Sequence, residues 1–409
     1  MNPQEPILLR SARWLAFGSA SAIMLGIAPS QILLALSFAA LLACGEKLRL
    51  PRIWLPLGLF LLGTVISLSL SDDPTAGLPQ IRKFYVFLEL LVVFSLLRSL
   101  AMVRLLFLTW AGIGALTAIR GCVQFAGKVQ EAHRLGRDFY EFYVGERITG
   151  FTSHWNTYSA EEMFALIMLV SLLFFAPAAG KRLWVWLLCG ALIALAIVLG
   201  ETRGIWIALA IAMLYLIWFW RRWMVALAPV VLLAAYFLAP PAMQDRVTSI
   251  FKPKGADSNQ FRVVTWRTGL RMVERHPWFG LGPEGPKLHF EEYLPPDVPR
   301  PLPSGWYGHL HNIYLHYAAE RGIPTMLVLM WMLVQIMVDF WRGLKTLPPG
   351  RSNRRFLLHG GIAAVLAIMA EGFVELNLGD SEVLTMFLVV VACGYLALEK
   401  DLAVESIPA

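Results

Sequence analysis

Charge is what this 409-residue chain has least of. Only 15% of its residues are Asp, Glu, Lys or Arg, while 57% are hydrophobic. The mean hydropathy is +0.61. A soluble domain carries about 25% charged residues, so the shortfall excludes one and leaves a polytopic membrane protein. Cysteine is also scarce. The four, Cys44, Cys122, Cys189 and Cys393, fall in or at the ends of apolar runs, and none has a metal-ligand spacing. They read as small packing residues. The opening MNPQEPILLRSARW lacks the small-residue cleavage site of a secretory signal, so the first span is expected to stay in place. Internal repeats and low-complexity tracts are lacking as well.

What is there is a succession of apolar runs, each long enough to cross about 30 Å of hydrocarbon. About twelve spans are predicted, at 12–28, 31–46, 53–70, 81–97, 104–125, 157–176, 183–199, 204–220, 223–239, 323–341, 357–376 and 382–398. Alternate short loops are basic: Lys47, Arg49 and Arg52; Arg98 and Arg104; Lys181 and Arg182; Arg221 and Arg222; Arg342, Lys345, Arg351, Arg354 and Arg355. The loops between them, Pro29-Ser30, SDDPTAGLPQ, ETRG and ELNLGDSE, have almost no Lys or Arg. The positive-inside rule then puts both termini in the cytoplasm. The formal charge of +7 is largely this topogenic signal. It carries no aromatic platform of the kind that stacks nucleic-acid bases, so no nucleic acid is expected.

The fold expected is all-α, in three parts. Residues 1–239 hold nine transmembrane helices and an outer loop at about 126–156. Residues 240–322 form a large outer loop with amphipathic helices. Residues 323–409 hold three more transmembrane helices and a short cytoplasmic tail, DLAVESIPA. Both long loops face outward, away from ATP and nucleotide sugars, which excludes chemistry that needs a cytosolic nucleotide donor.

The unusual polar residues sit on that outer face. Arg203 stands in the otherwise quiet loop ETRG, where it could snorkel as an interface anchor or hold an anion. In the second loop, DSNQ precedes FRVVTWRTGLRMVERHP. Ser258 or Asn259 suits a helix cap, and His276-Pro277 ends the helix. Arg267, Arg271 and Arg275 recur every fourth residue, a stripe that suits a solvated or headgroup-facing side. Arg262 lies about 140° round the helix from Arg267 and one turn before Trp266, on another face. Further on, GWYGHLHNIYLHYAAERGIPT gathers His309, His311 and His316 with Asn312 before an apolar span. Gly322 suits the left-handed residue after a helix end, and Pro324 the first turn of the next. A neutral imidazole can take a proton from a hydroxyl nucleophile. In the first loop, YVGERITGFTSHWNTYSAEE brings Arg147, His154 and Asn156 to the same depth.

Taken in order, these marks resemble a family. His311-Asn312, nine residues, then Gly322-Ile323-Pro324-Thr325 is similar to the H[NSQ]-x9-G-x2-[GTY] pattern of bacterial O-antigen ligases (WaaL). The wider family includes the O-antigen polymerases (Wzy). It shares TRG at the start of a span, here Thr202-Arg203-Gly204. It also shares R-x3-W and HP-x2-G-x-GP, here Arg262 to Trp266 and His276 to Pro283. A last mark is R-[IL]-x-G with a downstream Asn, here Arg147 to Gly150 and Asn156. The resemblance implies an architecture like that of the GT-C glycosyltransferases. It also implies an activity, transfer of a finished glycan from undecaprenyl diphosphate to a sugar hydroxyl of lipid A–core, at the periplasmic face of the inner membrane. No nucleotide, metal or other cofactor is implied. By matching position, Arg203 and Arg262 would hold the diphosphate and His311 would be the base. Arg147, His154, Asn156, Trp266, Arg267, His309 and Asn312 are the candidates for substrate binding. Direct attack at the anomeric carbon implies inversion.

The physical chemistry agrees. A departing lipid diphosphate needs fixed positive charge where negative charge develops, and arginine offers phosphate a planar fork that stays protonated. Asp72-Asp73 and Asp380-Ser381-Glu382 could hold a divalent ion. Both lie in turns, where Asp favours the turn itself, and no metal is expected. Three other readings remain open. A polymerase or a protein O-oligosaccharyltransferase would share the donor and differ in acceptor; some protein-targeting relatives carry a C-terminal periplasmic domain that is not expected here. A transporter for an anionic lipid would place polar groups near the midplane, where only Glu89 and Glu371 are candidates.

Overall fold

The computed structural model describes residues 6–178, 180–250 and 259–399. The cap expected at Ser258 and the tail DLAVESIPA lie outside the described residues. Those residues form α-helices and short 3-10 turns, with no strand among them. In chain order the first helices are α1 (Ile7–Ala22), α2 (Ile27–Ala43), α3 (Trp54–Ser69), α4 (Pro74–Arg82), α5 (Leu88–Leu96) and α6 (Leu100–Leu135). Then come α7 (Phe139–Gly145), α8 (Trp155–Phe175), α9 (Leu183–Leu199), α10 (Arg203–Arg221), α11 (Ala228–Leu238) and α12 (Pro241–Thr248). The last are α13 (Asn259–Arg275), α14 (Gly285–Leu288), α15 (Ile313–Thr346), α16 (Asn353–Glu371) and α17 (Ser381–Leu398).

Each of the twelve apolar runs coincides with helix, and the protein is a polytopic α-helical membrane protein. Five helical stretches are long and apolar enough to cross a membrane on length and composition alone: 100–135, 155–175, 203–238, 313–346 and 381–398. Several differ from the expected spans. The run at 81–97 is broken, because Asp73 caps a separate helix α4 and a 3-10 stretch, Lys83–Phe87, separates it from α5. Helix α6 continues ten residues past the span expected to end at 125 and stops at Gly136, which adopts φ 60°. Its extension, with Lys128, Glu131 and Arg134, is polar, so it leaves the bilayer as an amphipathic stalk. Helix α15 starts at Ile313, ten residues before the expected span, because Asn312 caps it: the Asn312 side chain accepts from Leu315 N at 2.9 Å.

Helices α8, α16 and α17 are buried along most of their length, while α11 buries none of its residues. The bundle therefore has a centre of α8, α16 and α17 and an apolar periphery that includes α11. Some buried polar groups pair within the bundle: Ser19 Oγ on α1 donates to Glu89 on α5 at 2.8 Å, and Ser171 Oγ on α8 to the Phe356 carbonyl on α16 at 2.7 Å.

One junction positions everything that follows. Helix α15 is interrupted at Gly322, with φ 82° and ψ 158°. The HP-x2-G-x-GP segment docks against that break. Ile323 N donates to the Pro277 carbonyl at 2.8 Å, Leu281 N to the Ala319 carbonyl at 2.9 Å and Gly282 N to the Glu320 carbonyl at 2.9 Å. A Cβ on Gly322 would lie 2.0 Å from the Trp278 carbonyl oxygen, and one on Gly280 would lie 2.4 Å from the Glu320 carbonyl carbon. The two glycines let two backbones touch. A second small core, including Val264, Met272, Phe290, Tyr293 and Leu310, fastens α13 above the start of α15.

Gly322→Ala should therefore be among the most destabilising single changes in the chain. The backbone region alone costs about 1–3 kcal/mol for a side chain, and the clash adds to it. Gly136→Ala is the control, since Gly136 is also left-handed (φ 60°) but has open space around it. Thermal unfolding of the two purified variants should show a large drop for the first and a small one for the second.

Candidate active site

The ends of α7, α8, α10, α15, α16 and α17, with the loops between them, meet at one end of the bundle around a cavity of about 1410 Å³. The basic loops gather at the opposite end, where Arg104 donates to the Pro177 carbonyl at 3.2 Å and Ser352 N to the Phe175 carbonyl at 2.8 Å.

Arginines from separate elements converge on the cavity. Arg203 is the first residue of α10, and its Nη1 donates to the Ser249 carbonyl at 3.0 Å and to Ser249 Oγ at 2.9 Å. Arg246, on α12, donates from Nε to the Glu201 carbonyl at 3.0 Å. Arg147 lies over the Trp155 ring, its guanidinium carbon 4.6 Å from the centroid. Burial, and then Arg246 nearby, push Arg147 down to about 9. Burial also pushes Glu201 up to about 7, with Arg246 and Arg147 pulling the other way. Like charges held together away from water are costly, and a bound dianion relieves that cost. The wall is not uniformly basic, for Glu371, Glu375, Asp380 and Glu382 line it too.

Across the cavity lies His311, which is buried and has φ 48°. A non-glycine residue in that region is uncommon and strained. The strain is held by neighbours. Trp266 Nε1 donates to the His311 carbonyl at 3.3 Å, and His311 N donates to His309 Nδ1 at 3.0 Å. The second bond requires His309 Nδ1 to carry a lone pair, so the His309 proton sits on Nε2, which faces Glu375 at 3.3 Å. Burial agrees, pushing His309 down to about 3. Glu375, from the loop between α16 and α17, is the hub of the cluster. Its carboxylate lies 3.2 Å from His311 Nδ1 and 3.8 Å from Arg262. Burial opposes the ionised form, but His311, His309 and Arg262 outweigh it and hold Glu375 down at about 2. Arg262 itself is pushed down, by burial first, with Glu375 opposing. The other ring nitrogen of His311, Nε2, donates to the Trp306 carbonyl at 3.0 Å, so both ring nitrogens face oxygen acceptors in this structure.

This arrangement can do two things. It can hold an anion on the arginines, and it can present an imidazole whose Nδ1 proton is fixed by a carboxylate. It could also ligate a metal: one atom each from His309, His311 and Glu375 all lie within 4.8 Å of one another. Paired histidines with a carboxylate form a recognised donor set for zinc.

Of the residues singled out in the sequence, Arg147, His154, Asn156, Arg203, Arg262, Trp266, His309 and His311 all line this cavity. Two do not. Arg267 points to the surface, where Nη2 bonds both oxygens of Asp297 at 2.8 Å. Asn312 is occupied by architecture: besides capping α15, its amide donates to the Phe373 carbonyl at 3.0 Å. His154 lines the cavity as the cap of α8, accepting from Asn156 N at 3.2 Å. His316 faces Glu320 at 3.6 Å. The acidic pairs have turn roles: Asp73 caps α4, and Asp380 caps α17 while accepting from Thr157 Oγ1 at 2.6 Å.

Sequence reasoning missed Arg246, Glu375 and Trp306. Arg246 stands on the outer side of the expected topology, a signal equal to that of Arg203. Glu375 had no comparable signal. Four acidic residues fall within 371–382, and nothing in the string separates them.

The described residues thus form a helical membrane bundle with an arginine- and histidine-lined cavity at one end. Residues 188–330 match the family model described as O-antigen ligase (Wzy_C). Members of that family are glycosyltransferase-like ligases and polymerases of O-antigen biosynthesis. The matched stretch includes Arg203, Arg246, Arg262, Trp266, His309 and His311; Arg147 and Glu375 lie outside it. No curated protein matches the chain.

Proposed function

We propose that the protein is an O-antigen ligase. It moves a glycan from undecaprenyl diphosphate to a sugar hydroxyl of lipid A–core, at the periplasmic face of the inner membrane, with both termini in the cytoplasm. The observation that carries this reading is one cavity holding Arg147, Arg203, Arg246 and Arg262 together with the His311–Glu375 pair. The arginines hold the diphosphate and stabilise the charge that builds on it as it leaves. Glu375 keeps the proton of His311 on Nδ1, which leaves the lone pair on Nε2. The Trp306 carbonyl can only accept from Nε2 at 3.0 Å, so Nε2 becomes a base when that carbonyl moves off and the acceptor hydroxyl takes its place against an unprotonated Nε2. Its oxygen forms the new bond to the anomeric carbon as the bond to the diphosphate oxygen breaks with its electron pair. The proton passes to Nε2. The single displacement inverts the anomeric centre, and no step needs a nucleotide or a metal.

A strain lacking the gene tests the choice of reaction. Ligase loss removes the long lipopolysaccharide ladder and accumulates lipid-linked glycan. If the mutant instead keeps a single capped repeat on lipid A–core, the protein is a polymerase.

Glu375→Gln tests the positioning of His311. The amide keeps the size but loses the charge that fixes the imidazole. Turnover should fall by on the order of 10²-fold or more, as when the carboxylate behind a catalytic histidine is neutralised. The KM for donor should not rise, because the change removes a negative charge beside Arg262. A Gln variant with normal turnover would remove Glu375 from the mechanism.

A further inference from the structure

A second cavity, of about 450 Å³, opens at the other end of the bundle. It lies between the C-terminal ends of α8, α10 and α15 and the start of α16. Four cations line it, Arg221, Lys345, Arg351 and Arg355, and no acidic side chain does among the described residues. None of the four is paired with a described carboxylate. Arg355 is held in place, donating to the Pro348 carbonyl at 3.1 Å and the Leu347 carbonyl at 3.3 Å. Arg221, Lys345 and Arg351 are exposed.

Topogenic charge explains why cations sit at this end, and the helix dipole favours Arg221 and Lys345 in the last turns of α10 and α15. Neither explains why four converge on one concavity, against their mutual repulsion. The remaining walls are aromatic. Phe174 stacks on Trp220 at 4.1 Å, and Phe219 meets Trp341 edge-on at 5.3 Å. The wall also includes His359, a buried polar residue that stacks on Phe175 at 4.0 Å and bonds the Tyr215 hydroxyl through Nδ1 at 3.1 Å. Below the cavity the outer faces of α10 and α15 expose Leu214, Trp218, Val334 and Val338.

We propose that this cavity binds the phosphate headgroup of an anionic phospholipid, the acyl chains lying along α10 and α15. Basic pockets between transmembrane helices on the side bearing the Lys/Arg loops suit such headgroups. The aromatic residues stand where ring and headgroup levels coincide. The volume falls within the roughly 300–1,000 Å³ usual for small-molecule sites. Charge selects the occupant: a zwitterionic headgroup brings a cation of its own against the four already present. The bound lipid ties α10, α15 and α16 together at the end remote from His311. The proposal stands whatever reaction the first cavity performs.

The test is thermal unfolding of the full chain in neutral detergent. Phosphatidylglycerol should raise the Tm by several degrees, as a ligand of the folded state does. Phosphatidylcholine with the same acyl chains should not. Inorganic phosphate, at the concentration of the lipid, should have no effect, because it lacks the chains. The Arg221→Gln/Arg351→Gln double variant should lose the phosphatidylglycerol shift. Equal shifts from both lipids would overturn the proposal, as would a double variant that still responds. A shift from inorganic phosphate equal to that from the lipid would make the occupant a free anion instead. Should the double variant not fold, native mass spectrometry of Lys345→Gln gives the same decision: phosphatidylglycerol retained as on the parent chain contradicts the assignment, and its loss supports it.

Discussion

His311→Ala should abolish glycan transfer while the protein still inserts, still folds and still binds donor. The residue begins no helix and fills no core. It is held with φ 48° by Trp266, His309 and Glu375. Strain of that kind persists only where the surroundings over-determine it. A base in reach of a hydroxyl contributes roughly 10²–10⁴ in rate, and that is the expected loss. His309→Ala should be milder, because His309 acts on His311 only through one hydrogen bond and the shared carboxylate. The rival role for His311 is a cation for phosphate. That role predicts that His311→Arg works and that activity persists or rises as pH falls. A base predicts that His311→Arg is inactive and that activity falls on the acid side. A pH–rate profile on purified protein, run beside His311→Arg, separates the two.

The second large effect concerns the arginines. Arg203→Ala and Arg262→Ala should each lower transfer by on the order of 10²–10³-fold, the usual cost of removing one preorganised donor from developing negative charge. Lysine should rescue either poorly, since it supplies charge without the fork. The two positions differ in surroundings. Arg203 bonds both the carbonyl and the hydroxyl of Ser249, so Arg203→Ala also loosens α10 from α12. Arg262 sits 3.8 Å from Glu375, so its loss also leaves that carboxylate with only the histidines and the Leu376 N–H as partners. Arg246→Ala belongs in the same series, because Arg246 shares the cavity and crowds Arg147. Near-normal transfer in both the Arg203 and the Arg262 variants would remove the diphosphate clamp.

Much of the fold could be read from the string because a bilayer leaves little choice. A long apolar run must close its own backbone hydrogen bonds, and a helix is the way to do it. The break at Gly322 was also legible, since glycine followed by a proline two residues on marks a helix end. Two local contests were not. Asn312 read as a possible glycan ligand, but capping α15 uses its carbonyl and the Phe373 carbonyl uses its amide. Arg267 read as a site residue, but the Asp297 carboxylate 30 positions later captures it. Glu375 needed the fold itself. It meets His311 across 64 positions, and only the packing of α15 against α16 brings the two together. The HP-x2-G-x-GP segment matched a family pattern, yet its glycines serve the docking of one backbone on another at the α15 break.

The most direct test of the central claim is transfer by the purified protein in EDTA. Undecaprenyl-diphosphate-linked glycan and rough lipopolysaccharide are supplied as donor and acceptor, and the product is read on a gel. Metal-free transfer by an arginine clamp and a histidine base predicts full-length ladder in EDTA, with none from His311→Ala. The His309–His311–Glu375 cluster makes the opposite result a real chemical alternative. No ladder in EDTA, restored by added divalent ion, would contradict the account.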